Sequence, residues 1–345
     1  KNFKIENGLS SNSVWTVMQD SKGFMWFGTK DGLNRFDGRN FKVYRNSLND
    51  SLSIGHNFIH CIKEDSRKRM LIGTRQGLYL YNREKDNFKH VPLAPAQEKE
   101  VNINDIMEDL QGNIWVACHG QGLYKLTSEL IVEKHYLFKG EQENVQSNFI
   151  WTIVTDHYGN LWIGTAGIGL IHFDIKNERF TPIVKRRNLE TDNQSIYSIH
   201  CDNDNNLWIG TSTNGLFKYN HISGKATHYL KNTGSVKSIK EYSDEELIMG
   251  SDKGLIIFNK KTEKYRVMED NSTDNSIFSI TRDNEGSFWV GTYFGGVNYF
   301  SPMTNKFSYY TDLQENNSTG HIVSSIVEDI DGTILISTHN NNNIY

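Results

Sequence analysis

Cysteine is scarce in this chain. Its 345 residues include three, Cys61, Cys118 and Cys201, far apart, without CxxC spacing and with one thiol necessarily left over. That pattern argues against a disulfide framework and against a structural zinc site, and it leaves the redox compartment open. Long apolar runs are missing too: no stretch of about eighteen apolar residues occurs, so no segment is expected to span or touch a bilayer. No secretory leader is visible, and the chain opens on a structured motif from Lys1, as expected of a mature or excised segment whose address signal lies outside it. An excess of one charge is also lacking. The 37 basic and 41 acidic residues are interspersed, leaving a net charge of −4 and no basic stripe to neutralise phosphates, so nucleic acid is not an expected partner.

What is present is enough for a core. Apolar residues make up 37% and aromatics 12% of the chain, unlike a disordered composition. The length allows two or three domains, but all-β units run this long as one.

An internal repeat decides among these. Met25-Trp26-Phe27-Gly28-Thr29 returns as Leu71-Ile72-Gly73-Thr74, Trp115-Val116-Ala117, Trp162-Ile163-Gly164-Thr165, Trp208-Ile209-Gly210-Thr211, Ile248-Met249-Gly250-Ser251 and Trp289-Val290-Gly291-Thr292. The spacing, roughly 40 to 47 residues, is that of a propeller blade. Before most copies stands a turn such as Asp20-Ser21-Lys22-Gly23 or Asp156-His157-Tyr158-Gly159, with aspartate to bond the backbone and glycine for the left-handed position. A short alternating strand precedes each turn, as in Val14-Trp15-Thr16-Val17 or Ile277-Phe278-Ser279-Ile280. A second glycine, from Gly32 to Gly296, opens a third strand. A more polar fourth strand follows, as in Phe41–Tyr44, Phe88–Val91, Phe180–Ile183 and Phe307–Tyr310. One such sheet cannot cover its own faces, so the sheets must stack around an axis.

The fold expected is therefore an all-β propeller of four-stranded blades. Phe3-Lys4-Ile5 matches a fourth strand and should complete another blade. Two closures fit. In the favoured one, residues 1–312 form seven blades with Phe3–Ile5 as the closing strand, and residues 313–345 begin a further blade of a second propeller. In the alternative, Phe3–Ile5 completes an eighth blade with inner strands in Ile322–Tyr345.

The five repeat tryptophans are better placed for core packing than for a sugar-binding ladder. The Gly-Thr pairs suit close packing of blades, since no GxxxxGK[ST] or strand-linked GxGxxG is present. Asp202-Asn203-Asp204-Asn205 and Asp329-Ile330-Asp331-Gly332 have some of the composition of a calcium loop, but both fall at the hairpin position and lack the twelfth-place glutamate. No metal, cofactor or catalytic residue is implied. One first-strand position changes chemistry from blade to blade: Trp15, His60, Asn104, Trp151, Tyr197, Lys237 and Phe278. Those side chains either fill space between blades or form a ring that stacks on a sugar face and bonds its hydroxyls or an acidic substituent.

The motifs Gly8-Leu9-Ser10-Ser11-Asn12-Ser13-Val14, Asp20 to Thr29 and Asp31-Gly32-Leu33-Asn34-Arg35-Phe36-Asp37 resemble the regulator-propeller repeat family over nearly the whole chain. The resemblance implies the periplasmic sensor region of a Bacteroidetes hybrid two-component histidine kinase, responding to polysaccharide-derived oligosaccharides. It implies a second propeller, a sandwich domain, a membrane helix and the kinase elsewhere in the same protein, with a homodimer as a further association. Two other readings compete: a scaffold propeller that binds protein partners or itself, and a carbohydrate lyase or hydrolase.

Overall fold

The structure is a computed structural model describing residues 1–93, 101–138, 148–183, 195–231, 233–268, 276–301, 323–329 and 334–338. The chain divides into two compact units, Lys1–Pro302 and Met303–Tyr345. The described part of the second is an antiparallel hairpin, Val323–Glu328 with Ile334–Thr338.

The first unit is a seven-bladed β-propeller of four-stranded antiparallel sheets. Blade one runs from inside to outside as Val14–Gln19, Met25–Thr29, Gly32–Phe36 and Phe41–Tyr44. The other inner strands are Ile59–Glu64, Ile103–Glu108, Ile150–Thr155, Ile196–Cys201, Val236–Glu241 and Ile277–Arg282. Each inner strand touches the inner strands of both neighbouring blades, and Val14–Gln19 meets Ile277–Arg282, which closes the ring.

The second strands are buried at every position in blades one to five and seven, as their nearly continuous apolar runs require. Each of seven apolar clusters is shared between two consecutive blades, so the core lies between sheets and no blade owns one alone. Trp26, Trp115, Trp162 and Trp208 are at most 1% exposed and Trp289 is 8% exposed, in line with core packing.

The turn aspartate and the tryptophan six residues later turn out to be one device. Asp20 Oδ1 accepts the N–H groups of Lys22 and Phe24, while Oδ2 accepts the Trp26 indole N–H at 2.9 Å. The same bond joins Trp115 to Asp109, Trp162 to Asp156, Trp208 to Asp202 and Trp289 to Asp283 at 2.8–3.0 Å. A large ring thus enters the core with its only donor satisfied. Blade two has Leu71 in place of tryptophan, and there Asp65 takes Arg69 Nε at 2.7 Å. In blade six, Tyr242 replaces the aspartate and stacks on Phe288, 5.3 Å between centroids. Gly23 sits at φ 89°, the left-handed value the turn demands; Lys68 and Asn205 take the same region at the equivalent place.

The glycine of the Gly-Thr pair answers a different demand. A Cβ on Gly28 would lie 2.7 Å from Ile59 of the next blade, and the contact recurs between Gly73 and Ile103, Gly164 and Ile196, Gly250 and Ile277, and Gly291 and Val14. Hydroxyls on the inner strands then tie blade to blade: Ser279 Oγ accepts the Val17 N–H at 3.0 Å and Ser238 Oγ the Ile280 N–H at 3.2 Å. Asp105 fills this role in blade three, accepting the Ile153 N–H at 2.9 Å.

The amino-terminal strand lies in the seventh sheet, where Asn2 pairs with Asn298 and Phe3 with Val297. It is shorter than expected. The strand is Asn2–Phe3, because the Lys4 N–H is taken by Asn7 Oδ1 and the Ile5 N–H by Asn12 Oδ1, which curl Ile5–Asn7 into a 3-10 turn. Phe307–Tyr310, expected as a fourth strand, lies outside the described residues, as do Asp331 and Gly332 of the second candidate calcium turn.

Gly28→Val should cost about 1–3 kcal/mol by overpacking against Ile59 and Thr16, read by urea unfolding. Phe3 is 7% exposed and stacks 5.8 Å from Trp289. Phe3→Ala is expected to cost about 3 kcal/mol and lower Tm; an unchanged melt would show that the closing strand carries no load.

Candidate functional site

In every blade the pairing of the first two strands slips at the second residue of the inner strand, so that residue is a β-bulge with no partner across the ladder. A bulge bends its strand and re-aims its side chain. The seven bulged residues are Trp15, His60, Asn104, Trp151, Tyr197, Lys237 and Phe278, the same seven whose chemistry varies along the sequence. The structure brings all seven together around one cavity of about 480 Å³ at one end of the central channel, with Ser276 and Tyr293 completing the lining. They face this cavity and belong to none of the apolar clusters between blades.

The walls are largely aromatic. Trp15 lies 4.5 Å from Phe278 and 5.0 Å from Phe58, centroid to centroid, and Phe58 stacks on His60 at 4.3 Å. Across the pocket Trp151 meets Tyr197 at 5.4 Å and His119 at 5.5 Å, and Phe278 stacks on Tyr293. Lys237 Nζ sits 4.2 Å over the Phe278 ring and bonds Asp252 and Ser276.

Four lining residues carry a buried polar atom with no protein partner: Trp15 Nε1, Trp151 Nε1, His60 Nε2 and Asn104 Oδ1. The Asn104 amide already donates to the Ile150 carbonyl at 2.7 Å, which orients it. Such atoms cost roughly 1–3 kcal/mol each when left unpaired, and a native fold retains them where something else is gained.

Burial, and then the charges of His119, Arg75 and His56, push the His60 imidazole down to about 4, so it is neutral at pH 7. Burial and then Asp252 raise the Tyr197 hydroxyl, which stays a donor. Burial alone would raise Asp252, but Lys237 and Ser235 hold its carboxyl below the ordinary range. The pocket therefore offers ring faces, neutral donors, one amide acceptor and an ammonium.

The repeat pattern of the first strand did not disclose Tyr293, Ser276, Phe58 or His119. Two further positions hold them: the residue after Gly-Thr, which reads Lys30, Arg75, His119, Ala166, Ser212, Asp252 and Tyr293, and the residue before the inner strand. They bond each other, Arg75 N–H to Phe58 O and Tyr293 N–H to Ser276 O among them, and so ring the same mouth.

A second cavity, about 570 Å³, occupies the other part of the channel and includes Lys63, Asp105 and Lys240 in its lining. The candidate calcium turn at Asp202 is spent on structure: Oδ1 accepts from Asp204 and Asn206 and Oδ2 from Trp208. Among the described residues no group of three or more His, Cys, Asp or Glu side chains is placed to hold a metal ion. The three cysteines are free thiols.

These features define a seven-bladed propeller with an aromatic pocket at the mouth of its channel. Residues 8–31, 144–167, 191–213 and 271–294 match the family described as two component regulator propeller. Over 54 residues it is 54% identical to histidine kinase P4 of Formosa agariphila, a match covering 16% of this chain and 4% of that protein. The extracellular domain of a putative hybrid two component system from B. thetaiotaomicron superposes on the whole of this chain with a TM-score of 0.77 at 26% identity. The present chain spans 48% of that domain. A streptogramin B lyase shares the fold, with a TM-score of 0.66 at 15% identity over 87% of this chain and 96% of its own. The relatives thus include extracellular domains of two-component systems, consistent with an extracytoplasmic domain. No helix among the described residues is long and apolar enough to cross a membrane.

The His60 shift fixes a pH dependence. Between its ordinary value of 6.5 and about 4 the folded state binds fewer protons than the unfolded, so stability present above pH 6.5 is lost as pH falls through that window. His60→Gln is expected to remove this component, up to about 3 kcal/mol, and to flatten the dependence of the urea midpoint on pH between about 6.5 and 4.

Proposed function

We propose that this segment is a non-catalytic, periplasmic ligand-sensing propeller of a hybrid two-component sensor histidine kinase, responding to oligosaccharides released from a polysaccharide. The supporting observation is the channel-mouth pocket, where seven bulged side chains supply aromatic faces for stacking and polar atoms that lack partners. Sugars present a patchy apolar face and a rim of hydroxyls, and aromatic planes edged by N–H and amide groups match both. The whole-protein role draws on the relatives: one is a histidine kinase and another is the extracellular domain of a putative hybrid two component system. In this reading residues 313–345 begin a second propeller, in keeping with a relative about twice as long. A sandwich domain, membrane helix and kinase lie elsewhere in the protein.

A scaffold role is the second reading. Leu110, Tyr158 and Ile222 are 64–72% exposed on the hairpin side of blades three to five, where Tyr158 meets His221. It predicts a defined homo-oligomer in solution and no saturable small ligand.

The test is a thermal-shift screen of the 345-residue chain against host and plant oligosaccharides. A ligand at a hundredfold excess over its Kd should add about 2.7 kcal/mol of stability and raise Tm. Trp15→Ala or Trp151→Ala is expected to remove the shift while the ligand-free chain still melts cooperatively, at a somewhat lower Tm. The absence of any shift from a well-folded chain, or a native gene without a downstream membrane helix and kinase, would overturn the proposal.

A further inference from the structure

The pocket has a wall from every one of the seven blades, so it has no open side. A polymer lying across the propeller face cannot lower an internal unit into such a space, because the linkages on either side of that unit would meet the rim. A chain end meets no such obstacle. At about 480 Å³ the cavity lies toward the small end of ligand pockets, which run from about 300 to 1,000 Å³.

Charge at the mouth is unbalanced. Lys30 reaches the lining through Tyr293, bonding its hydroxyl at 2.8 Å and lying 4.0 Å from its ring centroid. Arg75 stands beside the stacked Phe58 and His60, with its N–H on the Phe58 carbonyl. Lys237 is the third cation. Of the nearby carboxylates, Asp31 is taken by Arg45 and Asn57, and Asp252 is held by Lys237, Ser235 and Ser276. An ammonium has three N–H donors; Asp252 and Ser276 use two of those on Lys237 and leave one for a ligand. Beyond burial and His119, Arg75 also helps to keep His60 neutral.

We infer that the pocket receives, head-first, the terminal unit of an anionic saccharide, with its carboxylate or sulfate drawn to Lys237 and the Lys30 and Arg75 rim and its ring stacked on the aromatic wall. The inference rests on the saccharide reading above. It makes the site a counter of chain ends: the signal rises as a glycan-cleaving reaction multiplies termini, even while total sugar is constant.

The experiment is calorimetric titration of the 345-residue chain with digalacturonate, a mannuronate dimer and a sulfated chondroitin disaccharide. Each is paired with its neutral counterpart and with the intact polymer. At least one acidic disaccharide should bind tenfold or more tighter than its neutral partner, and its polymer should bind once per chain end, so that capacity per gram falls as length rises. Lys237→Met should cut acidic binding at least tenfold and weaken neutral binding by a much smaller factor, so that the acidic-to-neutral affinity ratio falls. Arg75→Gln, at an exposed position, should act in the same direction and keeps the test readable if Lys237→Met perturbs the wall. Equal affinity for acidic and neutral sugars, or polymer capacity that tracks total units, overturns the inference and leaves the saccharide reading intact. Failure of every saccharide, acidic or neutral, removes both.

Discussion

The propeller depends on how closely one blade approaches the next at the glycine of its second strand. There the first β-branched residue of the following inner strand occupies the space a Cβ would take, and the ring closes on the same contact, between Gly291 and Val14. Close approach at that point lets inner-strand hydroxyls bridge blade to blade and lets the tryptophan below it fill the inter-blade core. Blade three, with Ala117 in place of glycine, accommodates a single methyl and keeps the inter-blade hydrogen bond by means of Asp105. A sheet that cannot cover its own faces thus becomes stable through its neighbours, and stability is distributed around the ring.

The same strand that carries this packing also makes the site. One residue along from the packing contact the ladder slips, and the bulged side chain is released from the sheet toward the channel. Positions one and four of the inner strand stay valine or isoleucine in all seven blades because they face the core. Position two is freed from that demand and takes a different chemistry in nearly every blade. Structural repetition and chemical asymmetry coexist because they fall on adjacent residues pointing in different directions.

Acidic groups are largely consumed by architecture. Turn aspartates in five blades hold an indole N–H, and Asp105 bridges two blades from a buried position that pushes its carboxyl up. With most carboxylates committed to turns and outward ion pairs, the channel mouth keeps Asp252, held by Lys237, among cations and rings. The near-neutral net charge of the chain conceals this local imbalance.

Repeat length, strand order, the turn aspartates and the burial of the tryptophans were legible in the sequence because each is set by local pattern: alternation, turn chemistry and apolar runs recurring every forty-odd residues. So was the list of seven variable residues, since blade-to-blade variation at one strand position needs no coordinates to see. The closing strand was visible as a stray fourth strand but not its length, because the side chains of Asn7 and Asn12 that cut it short act across a turn. Tyr293, Phe58 and His119 escaped notice because they stand outside the first strand, one residue before it or one after the Gly-Thr pair, and reach the pocket only once strands and blades have paired. Only the tertiary structure decided that Asn2–Phe3 pairs with residues nearly three hundred positions away, that bulges turn seven separate side chains into the wall of one pocket, and that its cations outnumber the carboxylates free to balance them. Those outcomes follow from ring closure, which brings together residues that local sequence pattern cannot relate.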